Sequence, residues 1–347
     1  MQVIFRNIAL YLFVTLFFIN AGFSQSRNDL TFLLVGDIML GTSTPVGHLP
    51  NNNEIIVDLK LREILTRGNT VNIGNLEGTF CNSGESDKCA DSENCFAFRM
   101  PEYLADSLAN LNFSLLSLAN NHANDFGDTC RSNTEKLLDS LGIAWSGKVG
   151  SIAYLKQASV AMIAFHYGDK ANSLFDQAAL KKLIDKAHQS ASTIIVSFHG
   201  GAEGEFFSHT SDTTEYFLGE NRGAVREFAH CAIDAGADIV FGHGPHVLRG
   251  IELYQGKLIA YSLGNFATYS RFNLTGNLGI STILEATIDT SGNFVSGMIH
   301  PVKQLGQGYP VFDEKNQAIS LIQKMTQEDF KGGSLLIEND GHIWPKQ

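Results

Sequence analysis

The stretch TFLLVGDIML at residues 31–40 is a nearly continuous apolar run that contains a single charged residue, Asp37. Such a run, without polar alternation, is typical of a strand that is covered on both faces. Runs of the same kind recur along the chain, at residues 70–76, 113–119, 159–166, 193–199 and 237–242. Helical spacing of apolar residues separates them, at residues 54–65, 101–111, 133–141, 177–189 and 222–235. This alternation predicts an α/β protein.

The later part of the chain has a different pattern. Four strand-like segments follow one another closely, at residues 247–254, 257–262, 279–289 and 293–302. Turn dipeptides such as Gln255-Gly256 and Ser291-Gly292 leave no room for helices between neighbouring segments, so antiparallel pairing is expected. No linker rich in Pro, Gly or Ser interrupts the chain. We therefore predict one domain over residues 25–347.

Composition excludes several classes of protein. The chain of 347 residues has 44% hydrophobic and 18% charged residues, which argues against disorder and against a coiled coil. It carries 25 Lys and Arg against 36 Asp and Glu, a formal net charge of −11. A reader of phosphate backbones needs a basic face, and no Lys/Arg cluster occurs here, so no nucleic-acid partner is expected.

Residues 1–24 have the pattern of an export signal. One cation, Arg6, precedes an apolar run at residues 8–19, and the small residues Gly22 and Ser24 follow it. The run is short for a bilayer-spanning helix. We predict a signal peptide that is cleaved near Ser24, and an uncleaved membrane anchor is the alternative.

Five cysteines follow, at positions 81, 89, 95, 130 and 231. In an exported protein, the first three, which lie within a short polar segment, indicate a disulfide-stapled excursion rather than a metal site. An odd count leaves at least one thiol unpaired. Cys231 lies within the apolar pattern of a predicted helix, so we expect it to be an inert buried thiol. The pairing of the others is open.

Polar residues with ligand chemistry stand where the predicted strands end. In open α/β sheets these ends converge on one crevice, so side chains far apart in sequence can meet there. Carboxylate, amide and imidazole groups together suit zinc, manganese or iron. The residues are Asp37, Asn75, Glu77, Asn121, His122, His199, His243 and His246.

Each of these residues also has a purely structural interpretation. Asp37 could cap a helix, Glu77 could be a solvated turn residue, and His122 could belong to an Asn-rich turn. The recurrence at successive strand ends favours a common site. Four other histidines lack such company and are interpreted as structural or surface residues: His166, His209, His230 and His300.

Five blocks of the sequence resemble the CapA family, which is named for bacterial capsule and poly-γ-glutamate biosynthesis. They are VGDIMLG at 35–41, NLEG at 75–78, LANNHANDFG at 118–127, SFHGGAE at 197–203 and GADIVFGHGPHVLRGIELYQGKLIAYSLGNF at 236–266. The family is similar to calcineurin-like metallophosphoesterases. The resemblance therefore implies a four-layer α/β/β/α sandwich of two mixed sheets with a two-metal site, holding Mn, Zn or Fe, at the strand ends.

The resemblance also implies roles for individual residues. His122 looks like the acid that protonates a leaving oxygen, and Asp125, three residues on, is a plausible orienting partner for its imidazole. Asn75, Glu203 and Asn265 are secondary candidates. The implied metal ligands are Asp37, Glu77, Asn121, His199, His243 and His246.

Two hypotheses for function follow. The first is an exported metal-dependent hydrolase of the periplasm or cell surface, acting in capsule production on a phosphoester or a polymer-linked amide. The second is a non-enzymatic scaffold that binds an anionic exopolymer or membrane proteins of capsule synthesis. Met39 stands where phosphoesterases of this fold usually carry a His, and this favours the second.

Overall fold

The computed structural model describes residues 29–51, 56–86, 88 and 96–346. The predicted signal at residues 1–24 lies outside this part of the chain. The strands, in chain order, are β1 (Leu30–Met39), β2 (Val71–Leu76), β3 (Thr79–Phe80), β4 (Arg99–Met100), β5 (Phe113–Ser117), β6 (Ala144–Ser146), β7 (Ala153–Leu155), β8 (Val160–His166), β9 (Asn172–Ser173), β10 (Thr193–His199), β11 (Glu215–Phe217), β12 (Glu220–Gly223), β13 (Ile239–His243), β14 (Ile251–Tyr254), β15 (Lys257–Ala260), β16 (Asn265–Thr268), β17 (Ile280–Ile288), β18 (Phe294–Leu305), β19 (Tyr309–Phe312), β20 (Leu335–Ile337) and β21 (His342–Pro345).

The helices lie mostly where helical spacing predicts them. A short 3-10 helix at Glu102–Ala105 leads into α2 and together they fill the predicted segment 101–111. Among the described residues, every helix is too short or too polar to cross a membrane. The helices are α1 (Leu59–Thr66), α2 (Asp106–Asn110), α3 (Gly127–Ser140), α4 (Gln177–Ala187), α5 (Val225–Asp234) and α6 (Gln317–Asp329).

Two mixed sheets form the centre of the molecule. The larger has the order β20-β21-β18-β17-β1-β2-β5-β6, with β16 added to β1 and β19 added to β18. The smaller has the order β14-β15-β13-β10-β8-β7, with β9 added to β8. The expected antiparallel pairing is present between β14 and β15 and between β17 and β18.

Three apolar layers show how the sheets and helices stack. On β1, Phe32 and Leu34 face the second sheet and pack in one cluster with Met162 of β8 and Phe241 of β13. The alternate β1 residue Leu33 faces outward, where it belongs to a cluster that includes α1, α2 and α3 side chains. The outer face of the second sheet is covered by α4 and α5. This is the four-layer α/β/β/α sandwich of two mixed sheets that the resemblance to the CapA family implies.

One cysteine of the polar segment takes part in a disulfide, as expected. Cys81 is bonded to Cys130, at a sequence separation of 49, a pairing that the sequence leaves open. The two cysteines meet because β3 packs against α3, where the Phe80 N–H donates to Thr134 Oγ1 at 2.8 Å. Cys89 and Cys95 lie outside the described residues. Cys231 carries a free thiol but is half-buried rather than buried, because α5 turns its neighbours Ala232 and Phe228 toward the sheet.

Candidate metal centre

The carboxyl ends of strands from both sheets carry the candidate ligands. In the larger sheet, Asp37 of β1 is in register with Asn75 of β2 and with Asn265 of β16. In the smaller sheet, His199 of β10 is in register with His243 of β13. The strand ends therefore bring together residues that are more than two hundred positions apart in the chain.

The close approach of β1 to a neighbouring loop depends on a glycine. A Cβ at Gly36 would lie 1.8 Å from the carbonyl oxygen of Gly264, and the Asp37 N–H donates to that same oxygen at 2.9 Å. The pairing of β1 with β16 also shifts register between Asp37 and Ile38. Irregularities of this kind redirect a side chain at the end of a strand. They fix Asp37, which is 1% exposed, in the interior.

Asp37, Glu77 and His246 form the tightest group of potential ligands. Each offers one atom, and these atoms all lie within 4.8 Å of one another. His246 Nδ1 is 3.0 Å from Asp37 Oδ2, and His246 Nε2 is 3.9 Å from Glu77 Oε1. The backbone reaches this position through the loop Gly244-Pro245, and His246 itself has a left-handed conformation with φ 57°. The group has the chemistry of a buried metal-binding triad.

Buried polar atoms without hydrogen-bond partners surround this triad, counting partners only among the described residues. Burying such groups is costly unless something satisfies them, and a cation is one way to do so. Carboxylate oxygens, an amide oxygen and imidazole nitrogens are all metal-ligand atoms, so they fit a divalent cation. The atoms are both side-chain oxygens of Glu77, Asn121 Oδ1, His199 Nε2 and His243 Nε2.

The electrostatics of the cluster pair an acid with an imidazolium. Burial alone would raise the pKa of Asp37, but hydrogen bonds and charges from His243 and His246 hold it well below its ordinary value. Burial would lower the pKa of His246, but Glu77 and Asp37 raise it to about 10. Burial and the neighbouring Asp37 raise the pKa of Glu77 well above its ordinary value. The two carboxylates therefore keep His246 in its protonated, positively charged form.

Two asparagines brace the carboxylate. Asn75 Nδ2 donates to Asp37 Oδ1 at 2.8 Å, and Asn75 Oδ1 accepts from Asn120 Nδ2 at 2.9 Å. Asn120 also donates to the carbonyl oxygen of Leu76 at 2.8 Å. Asn75 therefore supports a ligand through its amide, and Asn120, which is absent from the predicted ligands, orients Asn75. On the other side, Asn265 Oδ1 lies 3.0 Å from His246 Nδ1.

His122 and Asp125 form a pair beside the triad. His122 Nδ1 lies 2.7 Å from Asp125 Oδ2, and the opposite ring nitrogen, Nε2, lies 3.9 Å from Glu77 Oε1. Asp125 Oδ2 also accepts from the Phe98 N–H at 2.8 Å. Burial lowers the pKa of His122, although Asp125 acts in the opposite direction. With Nδ1–H donated to Asp125, the neutral ring presents Nε2 to the cluster as a proton acceptor.

Met39 lies in the core rather than in the site. Its side chain is fully buried in the apolar cluster between the larger sheet and its helices. Its sulfur accepts from the Gly41 N–H at 3.2 Å. Met39 therefore contributes to packing and not to the metal centre. The polar neighbours of Asp37 include His246 and Asn75.

A cavity of about 880 Å³ opens onto this cluster. Its walls include the predicted residues Asn121, His122, Glu203, His246 and Asn265. They also include His166, Tyr167 and Arg222, which the sequence analysis does not place in the site. The missed signal is the strand end itself, because His166 ends β8 and is in register with His199 of β10. Glu203 forms an ion pair with Arg222 at 2.8 Å.

The fold and the cluster define an α/β protein of two mixed sheets with a buried Asp-Glu-His group at the strand ends. The chain belongs to the family described as bacterial capsule synthesis protein PGA_cap, which matches residues 31–270. The resemblance to the CapA family is thereby confirmed.

Two curated proteins that are similar to this chain are named as CapA proteins. The PGA biosynthesis protein CapA of Bacillus subtilis (strain 168) is 32% identical over 178 residues, which are 46% of this chain and 43% of that protein. The capsule biosynthesis protein CapA of Bacillus anthracis is 28% identical over 246 residues, 63% of this chain and 55% of that protein. The chain thus spans about half the length of these relatives.

Among solved structures, a 5'-nucleotidase precursor from Thermus thermophilus is similar, with a TM-score of 0.43 and 11% identity. The similarity covers 86% of this chain and 59% of that chain. The fold assignment rests on the two sheets and the apolar layers described above.

Proposed function

We propose that this protein is an exported, metal-dependent hydrolase of the phosphoesterase type that acts in capsule or exopolymer production. Its substrate would be a phosphoester or a polymer-linked amide. The observation that carries the proposal is the buried group of Asp37, Glu77 and His246, with both Glu77 oxygens left without a hydrogen-bond partner among the described residues. A folded shell gains nothing from burying carboxylate oxygens in this way.

Asp37, Glu77 and His246 would hold a divalent cation, and the donor chemistry suits Mn, Zn or Fe. The unpartnered atoms of Asn121, His199 and His243 support a second cation beside it. A bound cation supplies Lewis-acid stabilisation of charge that develops on a substrate oxygen. Asn75 keeps Asp37 in position through its 2.8 Å hydrogen bond.

His122 would move the proton. Its Nδ1 is held by Asp125 at 2.7 Å, which fixes the ring and leaves Nε2 facing the cluster. Because burial lowers the pKa of His122, the resting ring is neutral and accepts a proton at Nε2 before it donates one to the leaving oxygen. Asp125 stabilises the ring while it carries the positive charge.

The test is elemental analysis of residues 25–347 together with a generic phosphodiester assay in added manganese or zinc. We expect Asp37→Ala and His199→Ala to lower the metal content, and His122→Ala to keep the metal and lose turnover. Glu314→Gln is the matched control, because Glu314 is an exposed carboxylate that pairs with Lys60 and lies outside the Asp-Glu-His group. Equal metal loss in all three site variants contradicts the division between ligands and proton carrier.

A scaffold is the second candidate, and the buried position of Met39 favours it because one nitrogen ligand is thereby absent. As a scaffold, the protein would bind an anionic exopolymer or membrane proteins of capsule synthesis. A metal content of one or none, without turnover on phosphodiesters or on γ-linked glutamate, would support this candidate over the hydrolase.

Export is a further part of the proposal, and residues 1–24 support it by their charge and apolar pattern. Expression of the full chain in a bacterial host, followed by fractionation and N-terminal sequencing, tests it. Cleavage near Ser24 with recovery in the periplasm or medium is the expected result. Recovery of the uncleaved chain in the membrane fraction would indicate an anchor.

A further inference from the structure

The cavity that opens onto the metal centre has aromatic side chains beside the two histidines at its inner end. Between ring centroids, Phe272 lies 5.2 Å from His246 and 5.2 Å from Phe98, and Phe98 lies 4.3 Å from His122. All four residues line the cavity, and Phe272 is only half-buried. A molecule whose reacting group reaches the histidines therefore passes an apolar wall.

This apolar lining continues to the mouth of the cavity at Leu218, which lies at the tip of the hairpin of β11 and β12. Leu218 lines the cavity and is 87% exposed. Its neighbour Phe217 also lines the cavity, and the Phe217 ring lies 6.3 Å from the ring of Phe207. The residue before Phe207 is Phe206, which is 97% exposed. Two adjoining loops at the mouth thus each present an apolar side chain to solvent.

Leu218 occupies a turn position that favours a different residue. The turn of the hairpin consists of Leu218 and Gly219, whose φ values are 49° and 83°. Positive φ at both central positions is the requirement of a type I′ turn, for which Asn-Gly is preferred. A leucine in this conformation is strained, and its exposed side chain gains little packing in return. A residue that breaks a local rule without a structural gain is expected at functional positions.

The charges of the cavity wall suit an anionic head group. Its lining residues include four basic and three acidic side chains, whereas the whole chain has a net charge of −11. A wall of this kind attracts an anion more than the rest of the protein surface does. The basic residues are Lys88, Lys170, Arg222 and Arg271, and the acidic ones are Asp169, Glu203 and Glu220.

We propose that the apolar wall is a subsite for an extended hydrocarbon chain, so that the substrate is a lipid-linked phosphoester whose phosphate lies at the metal centre. This rests on the proposed function and selects the phosphoester from its two substrate classes. A ligand held wholly inside the cavity would leave Leu218 and Phe206 in water, whereas a hydrocarbon chain that leaves through the mouth covers them. A polymer of carboxylates would instead place charges against these side chains.

Alkylphosphonates test the subsite, because their carbon–phosphorus bond survives hydrolysis of phosphoesters and they differ only in the length of the hydrocarbon chain. Methyl-, butyl- and octylphosphonate are titrated calorimetrically into residues 25–347 in added manganese. We expect the affinity to rise by up to about fourfold for each methylene that becomes buried.

Leu218→Asn is the decisive variant, because asparagine suits the turn and removes the apolar contact. Its thermal midpoint should not fall below that of the wild type. We expect it to bind octylphosphonate about tenfold more weakly and methylphosphonate equally well. The matched control is Leu59→Asn, because Leu59 is 67% exposed at the start of α1 and lies outside the cavity wall. Its affinity for octylphosphonate should equal that of the wild type.

Three results would overturn the inference. They are no binding of octylphosphonate, equal affinity for methyl- and octylphosphonate, and octylphosphonate binding that Leu218→Asn leaves unchanged. Octyl glucoside, an uncharged amphiphile, is titrated in parallel. If its binding depends on Leu218 as strongly, the wall is a general surface for amphiphiles such as membrane lipids, and the inference is likewise wrong.

The titration and the turnover assay separate the inference from the proposed function. Affinity that rises with the length of the hydrocarbon chain, in a protein without metal-dependent turnover, contradicts the hydrolase and retains the subsite. Turnover of a phosphodiester, without any dependence of phosphonate affinity on the length of the hydrocarbon chain, retains the hydrolase and contradicts the subsite.

Discussion

Arg249→Met should strongly destabilise the protein, because it removes one partner of a buried ion pair. The Arg249 side chain is fully buried, and its two terminal nitrogens donate to the two oxygens of Glu215 at 2.8 and 2.7 Å. Its Nε donates to the carbonyl oxygen of Phe207 at 2.8 Å. This one guanidinium therefore attaches the loop after β10 and the strand β11 to the segment before β14.

The magnitude follows from burial. Removing one partner of a buried pair leaves the other charge without compensation, which costs about 3–5 kcal/mol. Glu215 is 7% exposed, and in the variant it would retain the Ala202 N–H as a hydrogen-bond donor at 2.8 Å. At about 2 °C per kcal/mol for a chain of this size, the thermal midpoint falls by roughly 6–10 °C.

Urea unfolding followed by circular dichroism measures this effect. Glu314→Gln is the control, because the exposed pair of Glu314 with Lys60 contributes less than about 1 kcal/mol. The double variant Arg249→Met with Glu215→Leu should recover much of the loss, since no buried charge then remains. The reasoning is refuted if Arg249→Met unfolds at the same urea concentration as the control, or if the double variant is less stable than the single one.

Three further predictions concern other regions. Reduction of the Cys81–Cys130 disulfide, which spans a sequence separation of 49, should lower the free energy of unfolding by up to about 4 kcal/mol. Unfolding with and without a reductant measures the loss. Cys231→Ser should leave the difference between the reduced and the oxidised protein unchanged, because Cys231 is a free thiol. Gly36→Ala should lower the metal content without altering any ligand, because its Cβ would lie 1.8 Å from the carbonyl oxygen of Gly264 and displace Asp37. The comparison is Gly297→Ala, whose Cβ would lie 2.5 Å from the carbonyl oxygen of Glu285, a residue outside the candidate site. Normal metal content in Gly36→Ala would contradict the argument. Glu285→Gln should destabilise the protein at pH 7 and much less at pH 3. Burial alone would raise the pKa of Glu285, but His300 and Arg67 hold it below the ordinary value. The resulting stabilisation is therefore present above the pKa of Glu285 in the unfolded chain and is lost as the pH falls through its pKa in the folded protein. An equal loss of stability at both pH values would disprove the last.

The sequence predicted the strands of the two sheets well where burial is continuous. The predicted strand at residues 193–199 coincides with β10, and residues 70–76 differ from β2 by one position. Strands covered on both faces are the clearest case, because their residues are almost all apolar. The α/β assignment follows from these strands, whereas the two mixed sheets were implied by the resemblance to the CapA family.

Helix ends and the last part of the chain were harder to predict. The helix expected at 133–141 begins at Gly127, because its first turns carry polar residues such as Asp128 and Arg131 that hide the apolar spacing. The helix α6 and the hairpin of β20 and β21 were not predicted. Their buried face depends on β18, which only tertiary structure brings beside them.

The residues of the candidate site could be predicted where ligand-type side chains stand at the ends of predicted strands. Asp37, Glu77 and His246 are such residues, and the structure brings them together. His166 ends the predicted strand at residues 159–166 and satisfies the same criterion, but it was interpreted as a structural or surface residue. The pairing of Cys81 with Cys130 and the bracing of Asp37 by Asn75 depend on contacts between separate segments, which spacing along the chain does not encode.

The order of the strands in the larger sheet determines when the site can be assembled during synthesis. β1 pairs with the nearby β2 on one side but with β16 and β17 on the other, and Asp37 is in register with Asn265. During synthesis, β1, β2, β5 and β6 emerge first and can pair early. The strands of the second sheet, which lie between β7 and β15 in the chain, are made next, and only then do β16 and β17, the other neighbours of β1, become available. Such distant pairing slows folding. A nascent chain that stops before residue 265 would therefore lack the β16 edge that supports Asp37, so the centre is assembled only after about three quarters of the 347 residues have been made.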